Sequence, residues 1–218
     1  MFYFDTYNGN KILKSDLLEE VTAFFTTRES APTLPLPLGE GIKTVTPQQT
    51  HSDHIEYVDK RTEYPDTDSL ILTKHNQACY LRFADCTPLI FYNPKTKTGA
   101  VSHAGWRGTA AKIGVKTVEK MGRNPKDIIA IIGPAIGLCC YEVSDDVRGK
   151  LLNTICDATG LTDDKNVDLK GINARQLEEI GVEKIDICPY CTSCNNDLFY
   201  SYRKENGTTQ RHYAVLKI

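Results

Sequence analysis

Short apolar segments of strand length recur along the chain, and polar residues, glycine or proline separate them. β-Branched and aromatic residues dominate many of these segments, which is typical of β-strands. We expect an edge strand within residues 1–20. The other predicted strands cover residues 21–27, 43–50, 68–73, 78–83, 88–92, 99–102, 127–132, 185–188, 198–202 and 212–217.

Apolar positions that recur every three or four residues predict helices between some of the strands. Ala111, Val115 and Val118 show this spacing, and Gly122 follows as a glycine that ends a helix. The predicted helices cover residues 109–121, 145–156 and 173–180. No repeat, low-complexity run or linker interrupts the pattern, so we predict a single mixed α/β domain over residues 1–218.

Composition narrows the classes of function that the chain can have. Hydrophobic residues make up 40% and charged residues 25% of the 218 residues, as in ordinary globular proteins. The net charge of −2 gives no general attraction to nucleic acid or to an anionic membrane. The chain shows neither a signal peptide nor an apolar run of the roughly 18 residues that a membrane helix needs. Eight cysteines without a secretion signal predict reduced thiols in the cytoplasm.

A cysteine and a histidine stand at the ends of two neighbouring predicted strands. Cys86 ends the segment Ala-Asp-Cys, and His103 begins the segment His-Ala-Gly-Trp-Arg-Gly. Because consecutive strands often lie side by side, we expect both side chains at one sheet edge. His51 follows another predicted strand and is a third candidate. Two histidines and one cysteine leave one position of a tetrahedral zinc ion open, as a catalytic zinc requires; a structural role for each residue is the alternative.

The two glycines around Trp106 and Arg107 mark a helix start directly after His103. Backbone N–H groups at such a start can face an anion, and a guanidinium pairs with phosphate or carboxylate. Arg107 is therefore a candidate phosphate-binding residue. A core aromatic beside a surface charge is the alternative interpretation of this pair.

Five blocks of the sequence resemble the signature blocks of the YfiH-like family, and they occur in the family's order. The blocks are Gln49-Thr50-His51, Ala84-Asp85-Cys86, His103-Ala104-Gly105-Trp106-Arg107-Gly108-Thr109, Gly133-Pro134-Ala135-Ile136-Gly137 with Tyr141-Glu142-Val143, and Phe199-Tyr200-Ser201-Tyr202-Arg203. Members of the family have been called polyphenol oxidase or laccase-like, and also purine nucleoside phosphorylase. The resemblance implies a compact α/β sandwich in which His51, Cys86 and His103 are the metal and catalytic residues.

The resemblance also implies a chemistry and a set of substrates. It implies phosphorolysis of adenosine, inosine or methylthioadenosine, adenosine deamination, and a role in editing peptidoglycan precursors. A purine nucleoside and phosphate are then the small-molecule partners, while the oligomeric state is left open. The candidate residues for substrate and phosphate are Arg107, Arg28, Gln49, Asp85 and Glu142. Asp85 is a candidate for orienting a ligand and Glu142 for carrying a proton, and a solvated or salt-bridged glutamate is the alternative for Glu142.

Two departures from the family's pattern bear on the substrate pocket more than on the metal site. Ser52 stands where the family has a glycine after the first histidine, which stiffens the backbone beside His51. Residues 28–47 form a shortened N-terminal region, in which a proline-rich loop replaces the family's glycine-rich segment and helix. A non-catalytic binding protein is therefore one alternative function.

Zinc is favoured over copper as the cofactor. The chain has five histidines without a His-x-His pair, whereas several coppers need many imidazoles. A single blue-copper site usually adds an axial methionine, and the two methionines are Met1 and Met121, the latter within a predicted helix. A copper-dependent polyphenol oxidase is the weaker alternative. A hydrolase that edits peptidoglycan precursors, with Cys86 as nucleophile and His103 as base, is another.

Three late cysteines, Cys188, Cys191 and Cys194, form two overlapping C-x-x-C spacings. A structural zinc site normally uses two separate C-x-x-C segments, and the sequence has no second one apart from this run. Structural thiols are therefore favoured here, with a redox pair or a metal site as alternatives. Cys139 and Cys140 are adjacent in sequence, and we expect them to be free thiols near the pocket.

Overall fold

Two six-stranded sheets form the framework of the computed structural model, which describes residues 1–31, 38–122 and 124–218. The strands are β1 (Phe2–Tyr7), β2 (Asn10–Ser15), β3 (Thr22–Thr26), β4 (Lys43–Val45), β5 (Ile55–Tyr57), β6 (Ser69–Leu72), β7 (Gln77–Phe83), β8 (Thr87–Asn93), β9 (Thr98–Ala104), β10 (Ile129–Ile132), β11 (Thr162–Asp163), β12 (Asn166–Val167), β13 (Lys184–Ile187) and β14 (His212–Lys217). The first sheet has the order β1-β2-β3-β14-β7-β4, and the second has the order β13-β10-β8-β9-β6-β5. Strands β11 and β12 form a separate hairpin.

Four α-helices accompany the sheets in the described part of the chain. They are α1 (Trp106–Ala110), α2 (Ile113–Met121), α3 (Asp145–Leu152) and α4 (Leu169–Glu179). Helices α2 and α4 cover one face of the second sheet, and the first sheet covers its other face. The predicted mixed α/β sandwich is thereby confirmed.

Strand β8 shows why the second sheet is buried on both faces. Ile90 and Tyr92 point into the core between the sheets, whereas Leu89 and Phe91 point into the core beneath the helices. All residues of β8 are buried, which explains its continuous apolar pattern. The alternation of side chains along a strand thus places one continuous sequence in two hydrophobic cores.

The second sheet brings four chain segments to one edge. Strand β8 pairs antiparallel with β9, with Thr87 opposite Ala104, and antiparallel with β10. Strand β10 runs parallel to β13, so both strands end at the edge where β8 begins. The residues before β8 and those after β9, β10 and β13 are consequently neighbours, although they are distant in sequence.

Several predicted boundaries change in the folded chain. The predicted helix 109–121 is two helices, because Lys112 between them has a left-handed backbone with a φ of 57°. The turn lets α2 lie close to β8, where a Cβ atom on Gly114 would be 3.0 Å from a Leu89 methyl carbon. The predicted helix 145–156 ends at Leu152, and the predicted helix 173–180 begins earlier, at Leu169.

Two predicted strands are wrong in part or in full. The strand predicted over 43–50 ends at Val45, and the strand predicted over 198–202 is a turn. In that turn the Asn195 carbonyl accepts hydrogen bonds from the backbone N–H groups of Leu198 and Phe199. Phe199 is nevertheless fully buried, so its apolar character anchors a loop rather than a strand.

Half of the proline-rich loop predicted at residues 30–41 lies outside the described residues, because residues 32–37 are not among them. The shortening of region 28–47 and the assignment of residues 1–218 to a single domain stay predictions. Among the helices of the described residues, none is long and apolar enough to cross a membrane.

Candidate active site

The edge of the second sheet brings Cys86 and His103 together, as the sequence predicts. Cys86 directly precedes β8, and His103 is the second-last residue of β9, opposite Pro88. His103 is buried and Cys86 is half-buried. The antiparallel pairing of two consecutive strands therefore fixes two of the three predicted ligands.

Asp68 positions both histidines, and the sequence analysis did not identify it. Its fully buried carboxylate accepts a hydrogen bond from His103 Nδ1 at 2.6 Å. The same carboxylate accepts the backbone N–H groups of Thr50 at 3.1 Å, His51 at 3.2 Å and Ser52 at 2.7 Å. These bonds wrap the loop around the carboxylate, and His51 adopts a left-handed φ of 63° within it.

Ser52 strengthens this loop rather than displacing His51. Its hydroxyl donates a second hydrogen bond to Asp68, at 2.9 Å, beside the one from its backbone N–H. The left-handed residue is His51, so a glycine is not required at the following position. A serine in place of the family's glycine is thus compatible with His51 lying close to Cys86 and His103.

One ligand atom each from His51, Cys86 and His103 lies within 4.8 Å of the other two. Gly105 makes this approach feasible. A Cβ atom at Gly105 would stand 2.9 Å from Cys86 Sγ, which is closer than side chains tolerate, and 3.2 Å from His51 Cδ2, which is a tight contact. The first glycine of the His-Ala-Gly-Trp-Arg-Gly segment therefore keeps space free at the three ligands.

The protonation of the three ligands suits a metal ion. Burial raises the pKa of Asp68, but the bond and charge of His103 outweigh it and lower that pKa to about 2. Burial also raises the pKa of the Cys86 thiol, yet His103 and His51 lower it below its ordinary value. Burial lowers the pKa of His103, but Cys86 and Asp68 outweigh burial, so that this pKa is raised above its ordinary value. These shifts favour the thiolate form of Cys86, which is the form that binds a metal ion, and a divalent cation would take the place of the proton on His103 Nε2.

The donor set fits a zinc-type ion. A metal-binding histidine usually donates its second ring N–H to a carboxylate, and His103 does so toward Asp68. His103 Nε2, which Asp68 leaves free, is then the nitrogen that a metal ion could bind. Two imidazoles and one thiolate complete three of the four positions of a tetrahedral ion.

The three ligands lie at the wall of a cavity of about 590 Å³ that is rich in arginine. Arg82, Arg203 and Arg211 line it, and so do Tyr141 and Tyr202. A cavity of this size and charge suits a small anionic or polar ligand, since ligand pockets commonly measure about 300–1,000 Å³. The sequence analysis named none of these arginines as site residues, although Arg203 lies within a quoted family block.

Two further predicted residues, Gln49 and Asp85, line the same cavity. The Gln49 amide bonds to the backbone N–H and carbonyl of Arg82, at 2.8 and 2.9 Å. Asp85 accepts a hydrogen bond from the Thr192 hydroxyl and another from the backbone N–H of Arg203, both at 2.7 Å. Both side chains therefore hold the wall in place, and both oxygens of Asp85 are engaged by the chain itself.

Three predicted residues lie outside the lining of this cavity. Arg107 is exposed, and its guanidinium stacks 4.3 Å from the centre of the Trp106 ring. Arg28 forms an ion pair with Glu205. Glu142 is exposed and lines a separate surface depression. Substrate contacts by these three residues stay predictions, and the arginines of the cavity are the nearer candidates for an anion.

Comparison with known proteins gives consistent matches over most of the chain. The family model described as "Multi-copper polyphenol oxidoreductase laccase" matches residues 28–218. The purine nucleoside phosphorylase YlmD of Bacillus subtilis (strain 168) is 36% identical over 189 residues, which cover 77% of this chain and 68% of that protein. A purine nucleoside phosphorylase YlmD of Geobacillus stearothermophilus is 35% identical over 191 residues, covering 78% of this chain and 70% of that protein.

Solved structures agree with the sequence relatives. The Bacillus licheniformis hypothetical protein YfiH superposes with a TM-score of 0.86 at 30% identity, covering 99% of this chain and 98% of that one. YlmD from Geobacillus stearothermophilus superposes with a TM-score of 0.85 at 28% identity, covering 98% of each chain. The two stacked sheets and their helices are thus common to this chain and both structures.

Proposed function

Since the chain belongs to the YfiH-like family, whose model is described as a multi-copper polyphenol oxidoreductase laccase, we propose that it is a zinc-dependent purine nucleoside phosphorylase. Relatives that carry this name support a nucleoside-processing enzyme. The observation that carries the proposal is one cavity in which two histidines and a cysteine meet three arginines.

His51, Cys86 and His103 would hold the metal ion, with a fourth position for water or substrate. A zinc ion held there would supply Lewis acidity and would lower the pKa of a bound water to about 7. Asp68 fixes the orientation of His103 and keeps its Nδ1 as a hydrogen-bond donor. Copper(II) binds such donor sets more tightly than zinc, so the identity of the metal belongs to the test.

Phosphorolysis requires a phosphate beside the sugar of the nucleoside. A phosphate oxygen bonds to the anomeric carbon while the bond to the purine nitrogen breaks, and the purine leaves with that electron pair and takes up a proton. Arg82, Arg203 and Arg211 provide the positive charge that holds the phosphate oxygens in place. The products are a purine base and ribose 1-phosphate.

Tyr141 is a hydrogen-bond donor to the substrate in this proposal. Burial, followed by the charge of Cys86, raises the pKa of its hydroxyl to about 12, so the hydroxyl stays protonated at neutral pH. Tyr141 lines the cavity, and the Arg203 guanidinium lies 5.5 Å from the centre of its ring. The pair places a neutral donor next to a fixed positive charge.

Adenosine deamination is a second reaction that we propose for the same cavity. Water adds to the purine carbon that bears the amine, and the amine leaves as ammonia, so inosine forms without phosphate. The two reactions therefore differ in their dependence on phosphate. This difference separates them in one experiment.

The test measures metal content and adenosine turnover on the same purified protein. We expect zinc by elemental analysis, with adenine and ribose 1-phosphate formed from adenosine only when phosphate is present. Inosine formed without phosphate indicates the deaminase reaction. Absence of every product with adenosine, inosine and methylthioadenosine would contradict the proposed function.

Matched cysteine variants test the metal ligands. Cys86→Ala should lose the zinc of this site and both reactions. Cys156→Ala is the control, because Cys156 is an exposed free cysteine outside the candidate ligand groups. Full turnover by a metal-free Cys86→Ala protein would contradict the assignment of the site.

A cysteine hydrolase acting on peptidoglycan precursors is the second candidate, and one observation favours it. His103 lies between the Cys86 sulfur and the Asp68 carboxylate and bonds to both. This is the order of groups in a nucleophile–base–carboxylate triad. A thiolate that binds a metal is not free to attack a substrate. Cleavage of a precursor peptide by metal-free protein, abolished by zinc, would support this candidate over the first.

A further inference from the structure

Four cysteine sulfurs meet at a second place on the same sheet edge. One Sγ atom each from Cys139, Cys140, Cys191 and Cys194 lies within 4.8 Å of the other three. Cys194 Sγ is 3.5 Å from Cys139 Sγ and also 3.5 Å from Cys140 Sγ. Sulfurs around one tetrahedral zinc ion, each at about 2.3 Å, are about 3.8 Å apart. The observed spacing therefore matches four ligands around one ion.

The parallel pairing of β10 and β13 explains why these cysteines meet. The two loops that follow these strands leave the sheet at the same edge, and their pairing continues in a bridge between Ala135 and Cys191. The backbone N–H of Thr192 donates to the Ala135 carbonyl at 3.0 Å. The missing second half of the C-x-x-C motif is thus the adjacent pair Cys139 and Cys140.

Gly137 prepares one of the sulfurs as a metal ligand. Its backbone N–H donates to Cys191 Sγ at 3.2 Å, a bond that stabilises a thiolate. A Cβ atom at Gly137 would stand 3.2 Å from Cys191 Cβ and 3.5 Å from Cys139 Sγ. The two loops therefore approach closely at this glycine, whose backbone N–H group points at the cluster.

The arrangement is not that of a simple disulfide pair. Cys194 Sγ is equally distant from two sulfurs that belong to neighbouring residues. Cys188, the remaining member of the late cysteine run, is buried in the core between the sheets and is not part of the group. The sulfurs share one centre, and four thiolates select zinc or iron–sulfur chemistry. Because the four sulfurs lie within 4.8 Å of one another, the group has room for one ion.

We propose that Cys139, Cys140, Cys191 and Cys194 form a structural zinc site, separate from the site of His51, Cys86 and His103. Its four protein ligands leave no position open, as in structural zinc sites. The ion ties the loop after β10 to the loop after β13. These two loops carry Tyr141 and Arg203, so the second zinc ion braces one wall of the arginine-rich cavity.

Elemental analysis counts the metal ions in the full chain, purified in reducing buffer, loaded with zinc alone and freed of excess. Cys139→Ser and Cys194→Ser should each bind one zinc ion fewer than the unaltered protein. Both side chains are exposed, so these variants are expected to fold. Cys156→Ser is the matched control and should keep the full zinc content. The comparison does not depend on zinc at the first site, because only the difference between variants is used.

Cobalt(II) replaces zinc as a spectroscopic probe of the ligands. In the Cys86→Ala protein, which lacks a ligand of the first site, cobalt should still give intense tetrahedral bands and sulfur-to-cobalt charge transfer. Cys194→Ser combined with Cys86→Ala should lose most of this intensity.

Three results would overturn the proposal. The first is an unchanged zinc content in Cys139→Ser and Cys194→Ser. The second is intact-mass and thiol analysis showing a disulfide within the group in freshly reduced and zinc-loaded protein. The third is iron instead of zinc in protein purified without added metal and retained in the presence of zinc.

Discussion

The buried carboxylate of Asp68 offers the sharpest test of how the candidate active site is held together. It accepts hydrogen bonds from His103 Nδ1, from the backbone N–H groups of Thr50, His51 and Ser52, and from the Ser52 hydroxyl. All these partners are donors. In Asp68→Asn one oxygen becomes an NH2 group, which cannot accept any of them.

The magnitude follows from the number of bonds that asparagine cannot replace. Asp68 Oδ1 accepts two of these bonds and Oδ2 accepts three. Asparagine keeps only one oxygen, so at least two charge-assisted bonds are lost. Each is worth about 1.5–3 kcal/mol, which gives a loss of about 3–6 kcal/mol in the free energy of unfolding. Asp68 is fully buried, so water does not compensate. Loss of a carboxylate that orients a metal-binding histidine also weakens metal affinity about 10- to 100-fold.

Urea unfolding and zinc competition with a chelator measure these two effects. Asp163→Asn is the matched control, since Asp163 is exposed and lies in the separate β11–β12 hairpin. We expect that control to stay within about 0.5 kcal/mol of the unaltered protein. An Asp68→Asn protein that loses less than about 1 kcal/mol and binds zinc normally would refute the role assigned to this carboxylate.

Three further changes test the site and the core. Gly105→Ala places a methyl carbon 2.9 Å from Cys86 Sγ, so zinc affinity should fall at least about tenfold in chelator competition, whereas Gly149→Ala, with open space around it, should leave affinity unchanged. Burial lowers the pKa of His212 to about 3, so the folded chain keeps it neutral while the unfolded chain protonates it below about pH 6.5. The free energy of unfolding therefore keeps its whole contribution from neutral His212 above pH 6.5 and is about 2 kcal/mol lower at pH 5. Urea unfolding of His212→Phe should lack this decrease. Arg82→Gln should raise the KM for phosphate about 10- to 100-fold with little change in the KM for the nucleoside; an equal rise in both would contradict a phosphate contact.

Local patterns in the sequence predict much of the fold because burial imposes them directly. The continuous apolar run of β8 and the glycine that ends α2 are visible without any tertiary information. The wrong strand over 198–202 has the same composition as a true strand. Phe199 is buried by loop packing, and no local signal separates that case from a strand.

In the candidate site, too, some residues can be predicted from local sequence patterns and others cannot. Cys86 and His103 are predictable as neighbours because they stand at the adjoining ends of two consecutive strands, whereas the approach of His51 to them rests on the resemblance to a family. Asp68 stands before the buried strand β6 and gives one sequence signal, an acidic residue next to a continuous apolar run. A buried charge of this kind must be satisfied by several donors, which is a reason to consider it a site residue. Its partners come from residues 50–52 and 103, which no local pattern connects.

Prediction of the four-cysteine group requires knowledge of the strand topology even more than prediction of the site of His51, Cys86 and His103 does. Cys139 and Cys140 precede Cys191 and Cys194 by about fifty positions, and only the parallel pairing of β10 with β13 makes them neighbours. A search for two C-x-x-C halves misses the group because one half is a vicinal pair. Parallel strands that end at one sheet edge are therefore the context in which such a pair becomes informative.

Asp85 physically connects the two candidate metal centres. It precedes Cys86 in the chain, and its carboxylate contacts Thr192, which follows Cys191. Its second oxygen accepts the backbone N–H of Arg203 in the cavity wall. Asp85 also has a left-handed φ of 85°, so its backbone is fixed by these contacts against its own preference. We therefore expect that a loss of order at the cysteine group shifts Asp85, and with it the backbone of Arg203 in the cavity wall.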